Sequence, residues 1–357
     1  MIKYLGSKRT LIPRILEVVA AVDAAIGVRT VVDLFSGTSR VGHALKRAGY
    51  RVLANDHNAY ARVLAGCYVA ADREDVADDA ARLVAELNRL PGAPGYFTEV
   101  FCEQARFFQA RNGARVDAIR EAIAHKELPP ALEAVLLTSL MEAADRVDST
   151  TGVHMAYLKR WAPRAENDLE LRVPEVLPRA RRGPGAAFEL DALVAAAALS
   201  GELAYLDPPY NQHKYLGNYH IWETLVRWDQ PSTYGVARKR VDCKERRSPF
   251  NSRRAIAGAL AAVLARLDAR ALIVSFSNEG FLSRHDLESM LQERGEVTVL
   301  EHDYRRYVGA QIGVFNPRGE RVGEVSHLRN KELLYVVGPP AVTRALERLA
   351  AEPRGDA

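Results

Sequence analysis

The 357-residue chain has only three cysteines, Cys67, Cys102 and Cys243, widely spaced and without a CxxC pair. Their scarcity excludes a disulfide framework and a cysteine zinc site, and it suits a reducing compartment. Long hydrophobic runs are also missing. Leu190 to Leu199 is among the most apolar stretches, yet it contains Asp191 and is too short to span a bilayer. Met1-Ile2-Lys3-Tyr4 leads directly into charged sequence with no signal-peptide pattern, so a cytoplasmic protein without membrane contact is expected. Net charge is only +4, which by itself does not point to a polyanionic partner. No internal repeat or low-complexity tract stands out beyond alanine enrichment. No His/Cys cluster has metal-ligand spacing, and no metal is called for.

What is present is a composition of ordinary globular type, 48% hydrophobic and 26% charged. The most informative stretch is Ala204-Tyr205-Leu206-Asp207-Pro208-Pro209-Tyr210, an apolar strand ending in a carboxylate, two prolines and an aromatic ring. Proline has a fixed φ and no N–H, so neither a strand ladder nor a helix runs on through this pair. Asp207, the carbonyl of Pro208 and the ring of Tyr210 then surround one small space, with Pro209 stiffening the turn. That suits a planar base with an exocyclic amine: carboxylate and carbonyl each accept one amine hydrogen while the ring stacks. Taken alone, the tetrapeptide reads equally well as a strand end followed by a packing turn.

A second unit lies near the start. Thr30 to Phe35 reads as a buried strand, Ser36-Gly37-Thr38-Ser39-Arg40-Val41-Gly42 as a tight turn, and a helix follows to about Ala48. A second strand, Arg51 to Ala54, leads to Asn55-Asp56, about 20 residues past the turn, where a carboxylate can take both hydroxyls of a ribose. The turn is not GxGxxG, and Phe35 stands where a pyrophosphate would need close backbone approach. This favours a nucleoside ligand without phosphates. S-adenosylmethionine fits, its ribose meeting Asp56 and its amino acid part meeting Asp33 and the Gly37 turn. An α/β unit binding another nucleotide, or none, is the alternative.

Ahead of that unit, Lys3-Tyr4-Leu5-Gly6-Ser7-Lys8-Arg9 precedes an apolar helix, with Ser7 as its expected N-cap and Pro13 in its early turns. It reads as a plain capped helix, or as backbone N–H groups and Lys8 gathered around an anion. Between Asp56 and Asp207 lie about 150 residues of mostly helical pattern, Ala59–Leu90, Glu103–Lys126 and Pro130–Arg146. A sheet crossover needs far fewer. An inserted helical lobe over 61–185 is therefore expected, with residues 1–60 and 186–357 forming the catalytic domain. Further strands are expected near Phe188, over Leu203–Leu206, Ala271–Phe276, Val297–Leu300 and Leu333–Val337. Tyr304 to Lys331, around Asn316-Pro317-Arg318-Gly319, reads as a long β-arm. Basic residues crowd 238–254 and 179–182, each a solvated face or a phosphate-facing strip. His154, His213 and His220 read as satisfied or surface side chains, and Tyr219 and Trp222 more readily as core than as base-stacking residues.

Three pieces thus stand in one order: Lys3-Tyr4-Leu5-Gly6-Ser7-Lys8, Asp33-Leu34-Phe35-Ser36-Gly37-Thr38, and Asp207-Pro208-Pro209-Tyr210. With a long insert before the last, this order resembles the adenine-specific DNA methyltransferases of the DNA adenine methylase type. The helical part also resembles restriction-modification members around Ala143–Val147 and Ala156–Trp161. The resemblance implies a Rossmann-like, doubly wound α/β sheet that uses S-adenosylmethionine, with the helical lobe recognising DNA. It implies that Tyr4, Gly6, Ser7 and Lys8 close over the cofactor's methionine part. Asp33, Leu34, Phe35, Ser36 and Gly37 would make the cofactor turn, with Asp56 on the ribose. Asp191 would bind the cofactor's adenine amine, with Phe188 beside that ring. Two family glycines are replaced, by Ser7 and by Ser39. The substrate implied is an adenine in double-stranded DNA, rotated into the Asp207–Tyr210 pocket and methylated at N6. The setting implied is a restriction-modification system, where a separately encoded restriction endonuclease would be the partner, or an orphan methylation system without one. Lys3, Lys159, Arg160, Lys214, Asn218 and Tyr219 are the candidate DNA contacts. Cytosine-N4 methylation is the nearest alternative, although Asp rather than Ser before Pro-Pro-Tyr favours adenine. A non-catalytic α/β protein that binds nucleotide or DNA is the alternative of another class. The whole reading requires Asp207 to face a cavity continuous with the nucleoside cleft rather than to be consumed in an internal ion pair.

Overall fold

The computed structural model describes residues 1–305, 314–315, 321–323 and 329–351. Seven strands form one sheet: β1 (Thr30–Asp33), β2 (Arg51–Asn55), β3 (Ala186–Phe188), β4 (Ser200–Leu206), β5 (Asp268–Ser277), β6 (Glu296–Arg305) and β7 (Arg329–Gly338). Their order is β3-β2-β1-β4-β5-β7-β6, parallel except for β7, which runs antiparallel to both its neighbours. The order reverses between β1 and β4. In an open α/β sheet that reversal splays the following loops apart and leaves a crevice at the carboxyl ends of the strands. The doubly wound α/β fold expected from the sequence is therefore present.

Eleven helices of seven residues or more are found among the described residues: α1 (Ile12–Ile26), α2 (Arg40–Arg47), α3 (Ala59–Ala65), α4 (Arg73–Asn88), α5 (Ala110–His125), α6 (Pro130–Arg146), α7 (Ala192–Ala198), α8 (His220–Arg227), α9 (Ile256–Arg266), α10 (Arg284–Gln292) and α11 (Pro340–Ala351). The strand period of two sorts neighbouring residues to opposite faces. Val31, Val52, Leu203, Ile273 and Val336 pack with Val19 of α1, Leu45 of α2 and Leu346 of α11. Val32, Leu53, Ala204, Leu272 and Val337 pack on the other face with Ala195 of α7, Leu264 of α9 and Leu291 of α10. Both faces are covered, so the strands read as continuous apolar runs. Among the described residues no helix is long and apolar enough to cross a membrane, and all three cysteines are free and buried.

A third core joins α3 to α6 with α8, through Leu64, Leu83, Phe101, Ile119, Leu140, Trp222 and Leu225. Ile2 and the segment from Tyr219 to Val226 complete it, so residues 61–185 do not close their hydrophobic surface alone. The helix expected across Ala59–Leu90 is broken by a wide π-type turn at Gly66–Ala70. The cause is a close crossing: a Cβ on Gly66 would lie 2.8 Å from that of Ala134. Ser7 does not cap α1. It precedes a short 3₁₀ turn, Lys8–Thr10, and its side chain makes no capping bond. The segment after Tyr210 closes with one helical turn, Tyr215–Asn218. Most of the anticipated β-arm lies outside the described residues, but its base is paired, Arg305 opposite Arg329.

The turn after β1 holds a strained residue. Ser39 adopts φ 57° and ψ 24° at the start of α2, fully buried, with its hydroxyl unbonded. For an L-residue with a Cβ that conformation costs roughly 1–2 kcal/mol. Ser39→Gly should therefore stabilise the protein by about 1 kcal/mol, the strain and orphaned hydroxyl outweighing the added chain entropy. A higher urea midpoint at unchanged slope is the expected result, and a lower one would show that the Ser39 side chain earns its place by packing.

Candidate active site

Three adjacent strands end in carboxylates. Asp33 closes β1, Asp56 follows β2 and Asp207 follows β4, and the parallel register brings all three to one edge, with Asp33 opposite Ala54 and Tyr205. All three line one cleft. They differ in what holds them. Asp33 is 1% exposed and, the nearby Gly42 N–H apart, its carboxylate has no hydrogen-bond partner. Burial, together with the charges of Asp207 and Asp56, pushes its pKa up to about 8. Asp56 accepts the N–H of Gly37 at 3.0 Å, and the backbone N–H and side-chain amide of Asn58 at 3.0 and 3.1 Å. Those bonds orient both oxygens while burial still raises the carboxyl above its usual range. Gly37 takes φ 50°, and a Cβ there would meet the Tyr4 ring at 3.4 Å. Leu34 is buried and donates its N–H to Tyr205, and Ser36 donates its N–H to the carbonyl of Asn55.

The amino-terminal segment closes the cleft from above. Tyr4 lies in a stack of three rings, 5.3 Å from Tyr215 and 4.6 Å from Tyr219, within 16° of parallel to each. Its hydroxyl meets that of Tyr60 at 3.2 Å. Gly6 has φ 72°, and a Cβ there would crowd the Tyr215 hydroxyl at 3.0 Å. Gly6, Ser7 and Lys8 all line the cleft. Lys8 places its ammonium 3.0 Å from Asp207 and 2.6 Å from Glu332. Burial pushes the Asp207 carboxyl up, Lys8 pulls it down and Glu332 pushes it up, leaving it at about 6.

The ion pair does not consume Asp207. Its side chain keeps 20% of its surface exposed and faces the same cleft as Asp33 and Asp56, as does Pro209. Pro208 is buried. Tyr210 is pinned, its carbonyl accepting the N–H of Phe281 at 2.8 Å and its ring 5.3 Å from Phe276. It opens instead onto a smaller neighbouring pocket with Lys8, His302 and Glu332. Lys8 borders both spaces, as do Gly6 and Ser7.

On the far wall Asp191 caps α7 by accepting the Leu193 N–H at 2.8 Å, and its exposed carboxylate reaches the cleft. Phe188 does not line the cleft. It packs among partly buried apolar residues, and its carbonyl accepts the Asp56 N–H. Phe250 does line the cleft, edge-on to Phe35 at 5.1 Å, which lines it too. It arrives with Arg246, Arg247, Ser248 and Asn251, from the basic segment whose direction the sequence left open. Asn251 donates to the carbonyls of Asn211 and His213, binding this segment to the loop after Tyr210. Aromatic and amide residues within a basic run were the available signal.

The candidate DNA contacts divide. Lys159, Arg160 and Lys214 are exposed, and Lys214 stands on the cleft wall. Lys3 is held by Asp145 and Asp148, the latter at 2.8 Å. Tyr219 and Asn218 are corrected: both are buried. Tyr219 is wholly enclosed, with its hydroxyl accepting the Leu5 N–H at 2.6 Å, and the Asn218 carbonyl accepts the His154 N–H. They are enclosed because the chain from Tyr219 into α8 belongs to the helical core. His154 and His220 are buried against Trp222 and Phe107, and burial pushes His154 down to about 3.

A sheet of this order, with a glycine turn after β1 and Asp207 after β4 facing one cleft, has the architecture of a methyltransferase. The chain belongs to the D12 class N6 adenine-specific DNA methyltransferase family, whose profile matches residues 4–286. It is thus a DNA adenine methyltransferase. It is 26% identical over 337 residues to the type II methyltransferase M.NlaIII of Neisseria lactamica, covering 92% of this chain and 99% of that protein. It is 28% identical to the modification methylase StsI of Streptococcus sanguinis, covering 87% of this chain and 49% of that one. Identity is also 28% to the type II methyltransferase M.FokI of Planomicrobium okeanokoites, covering 85% and 49%. The chain therefore spans about half the length of the last two relatives.

Proposed function

We propose that this protein is the modification enzyme of a restriction-modification system. It would act in the cytoplasm and transfer the methyl of S-adenosylmethionine to N6 of an adenine rotated out of duplex DNA. The observation that carries this reading is Asp207, held at the end of β4 on a cleft shared with Asp33 and Asp56. The cleft residues suit the cofactor. A buried carboxylate with no side-chain partner, Asp33, matches an ammonium group, and Asp56 Oδ2, which accepts only the Gly37 N–H, keeps a lone pair for a ribose hydroxyl. Phe35, Phe250 and Leu190 offer apolar surface for a purine, with the Asp191 carboxylate at its edge for an exocyclic amine. When bound, the cofactor supplies an electrophilic methyl on sulfonium.

The protein's own part is positional. An adenine amine is a weak nucleophile because its lone pair is delocalised into the ring. Asp207 and the Pro208 carbonyl accept its two hydrogens and draw the nitrogen towards tetrahedral geometry. The Tyr210 ring offsets the few kcal/mol lost on unstacking the base. Alignment of amine and methyl supplies much of the rate. Once the new N–C bond has formed, the surplus N6 proton would pass to the Asp207 carboxylate that already bonds it, and from there to water. Lys159, Arg160 and Lys214 would hold phosphates, and residues 61–185 with α8 would form the recognition lobe. A separately encoded restriction endonuclease cutting the same site is the proposed partner.

Incubating the protein with duplex DNA and methyl-tritiated cofactor should place label in DNA, recovered as 6-methyldeoxyadenosine. Label in 4-methylcytosine, or DNA binding with no transfer, would sink the proposal.

A further inference from the structure

The antiparallel strand carries a buried carboxylate that neither the cofactor nor the target base requires. Glu332 is 4% exposed, sits near the start of β7, and pairs in register with Ser277 of β5 and His302 of β6. Because β7 runs against the rest of the sheet, its beginning reaches the edge where the parallel strands end. Glu332 is thereby delivered beside Asp207 from the opposite direction. Its Oε1 accepts the Ser275 hydroxyl at 2.7 Å and the Lys8 ammonium at 2.6 Å, whereas Lys8 stands 3.0 Å from Asp207. The result is a carboxylate–ammonium–carboxylate bridge, closer at the Glu332 end, between two pockets that share Lys8.

This arrangement has a consequence for the reaction, and it rests on the reading of Asp207 as the amine acceptor. An ammonium on Asp207 occupies an oxygen that the adenine amine must use. With no second carboxylate, a buried lysine would have nowhere else to place its charge and would stay there. We propose that Glu332 is a positioning residue that draws Lys8 away from Asp207 and so leaves the catalytic oxygen open to the target amine. The Ser275 hydroxyl holds Glu332 in the orientation that receives it.

Asp207 is surrounded on every side by groups that titrate or carry charge. Lys8 faces it from the amino-terminal segment, Glu332 from β7, Asp33 from β1, Tyr205 from β4, and Tyr210 and Tyr215 from the following loop. His302 faces Glu332 across the sheet. Of these, Glu332 disfavours the Asp207 anion and Lys8 favours it. Neutralising Glu332 acts on both, since Lys8 is then left to Asp207 alone. Each change moves the Asp207 ionisation to lower pH.

The test is steady-state methylation of duplex DNA by Glu332→Gln and Glu332→Asp across pH, with cofactor affinity by calorimetry as the check on folding. Glu332→Gln should lower kcat about tenfold or more, and should move the acid limb of kcat/KM down by about half a pH unit or more. Glu332→Asp keeps the charge. It should hold the limb near its wild-type position and recover part of kcat. An unchanged kcat in Glu332→Gln overturns the proposal. So does a reduced kcat with an unmoved limb, the behaviour of a residue that only supports the sheet. If Glu332→Gln fails to bind cofactor, Glu332→Asp decides: a limb displaced as far as half a pH unit despite the retained charge overturns it. Activity retained in Asp207→Ala would instead bring down the underlying site assignment.

Discussion

Asp207→Ala is expected to abolish methyl transfer, by on the order of a thousandfold or more, while cofactor affinity stays within a few-fold. In the proposed mechanism the carboxylate is the preorganised acceptor, and alanine removes it without touching the hydrogen bonds that hold Asp56. Loss of a partner from a buried ion pair can cost about 3–5 kcal/mol when a charge is stranded. Here Lys8 keeps Glu332 at 2.6 Å, so the fold should survive. Asp207→Asn preserves the shape and one acceptor oxygen but not the charge, and should fall between alanine and wild type. The pH profile follows from the same residue. Its carboxyl stands at about 6, and only the anion accepts both strongly and without a proton of its own. The sign is therefore that kcat/KM rises as pH increases through about 6 and flattens above it. An ordinary aspartate would be fully ionised well below that range. A profile flat down to pH ~4.5 would show that Asp207 is not the group that must ionise.

Asp33→Asn should weaken cofactor binding by about tenfold to a hundredfold, the value of one charge-assisted hydrogen bond. It should also flatten the pH dependence of that binding. In the free protein the Asp33 carboxyl, pushed up to about 8, is mostly protonated at neutral pH. An ammonium ligand needs the anion, so binding releases a proton. Affinity should therefore strengthen as pH rises towards 8, by at most about tenfold per pH unit. Calorimetry in buffers of different ionisation enthalpy counts the released proton, and wild type should release close to one where Asp33→Asn releases none. Stability should move the other way. A carboxyl whose pKa is raised on folding binds more protons in the native state, so free-protein stability falls as pH climbs towards the folded value. Asp33→Asn removes that penalty and should raise the melting temperature of the free protein at neutral pH. Weaker melting together with unchanged cofactor affinity would remove Asp33 from the site.

Local chemistry is what could be read without coordinates. Strands β1, β2 and β4 were legible because β-branched and apolar runs end at polar residues. The carboxylates at 33, 56 and 207 follow directly, since a residue just past a parallel strand can only emerge at its carboxyl edge. Helix α6 and the early Pro13 of α1 were legible for the same reason, being set by spacing within one turn of chain. The break at Gly66 was not, because a helix yields there to α6, a neighbour with no trace in local periodicity. Tyr219 read as a DNA contact when its position after the Pro208-Pro209 turn was considered, yet it is stacked against Tyr4 from the other end of the chain.

The sequence by itself determined the reaction class, through three short motifs whose residues each meet one chemical need in fixed order. Only the tertiary structure decided which side chains share the cleft with them. Phe250 rather than Phe188 faces it, and Lys8 meets a carboxylate 324 residues away. The physical reason is range. Backbone geometry and turn chemistry act over a few residues, whereas burial and charge pairing act through space between segments that only the folded sheet brings together.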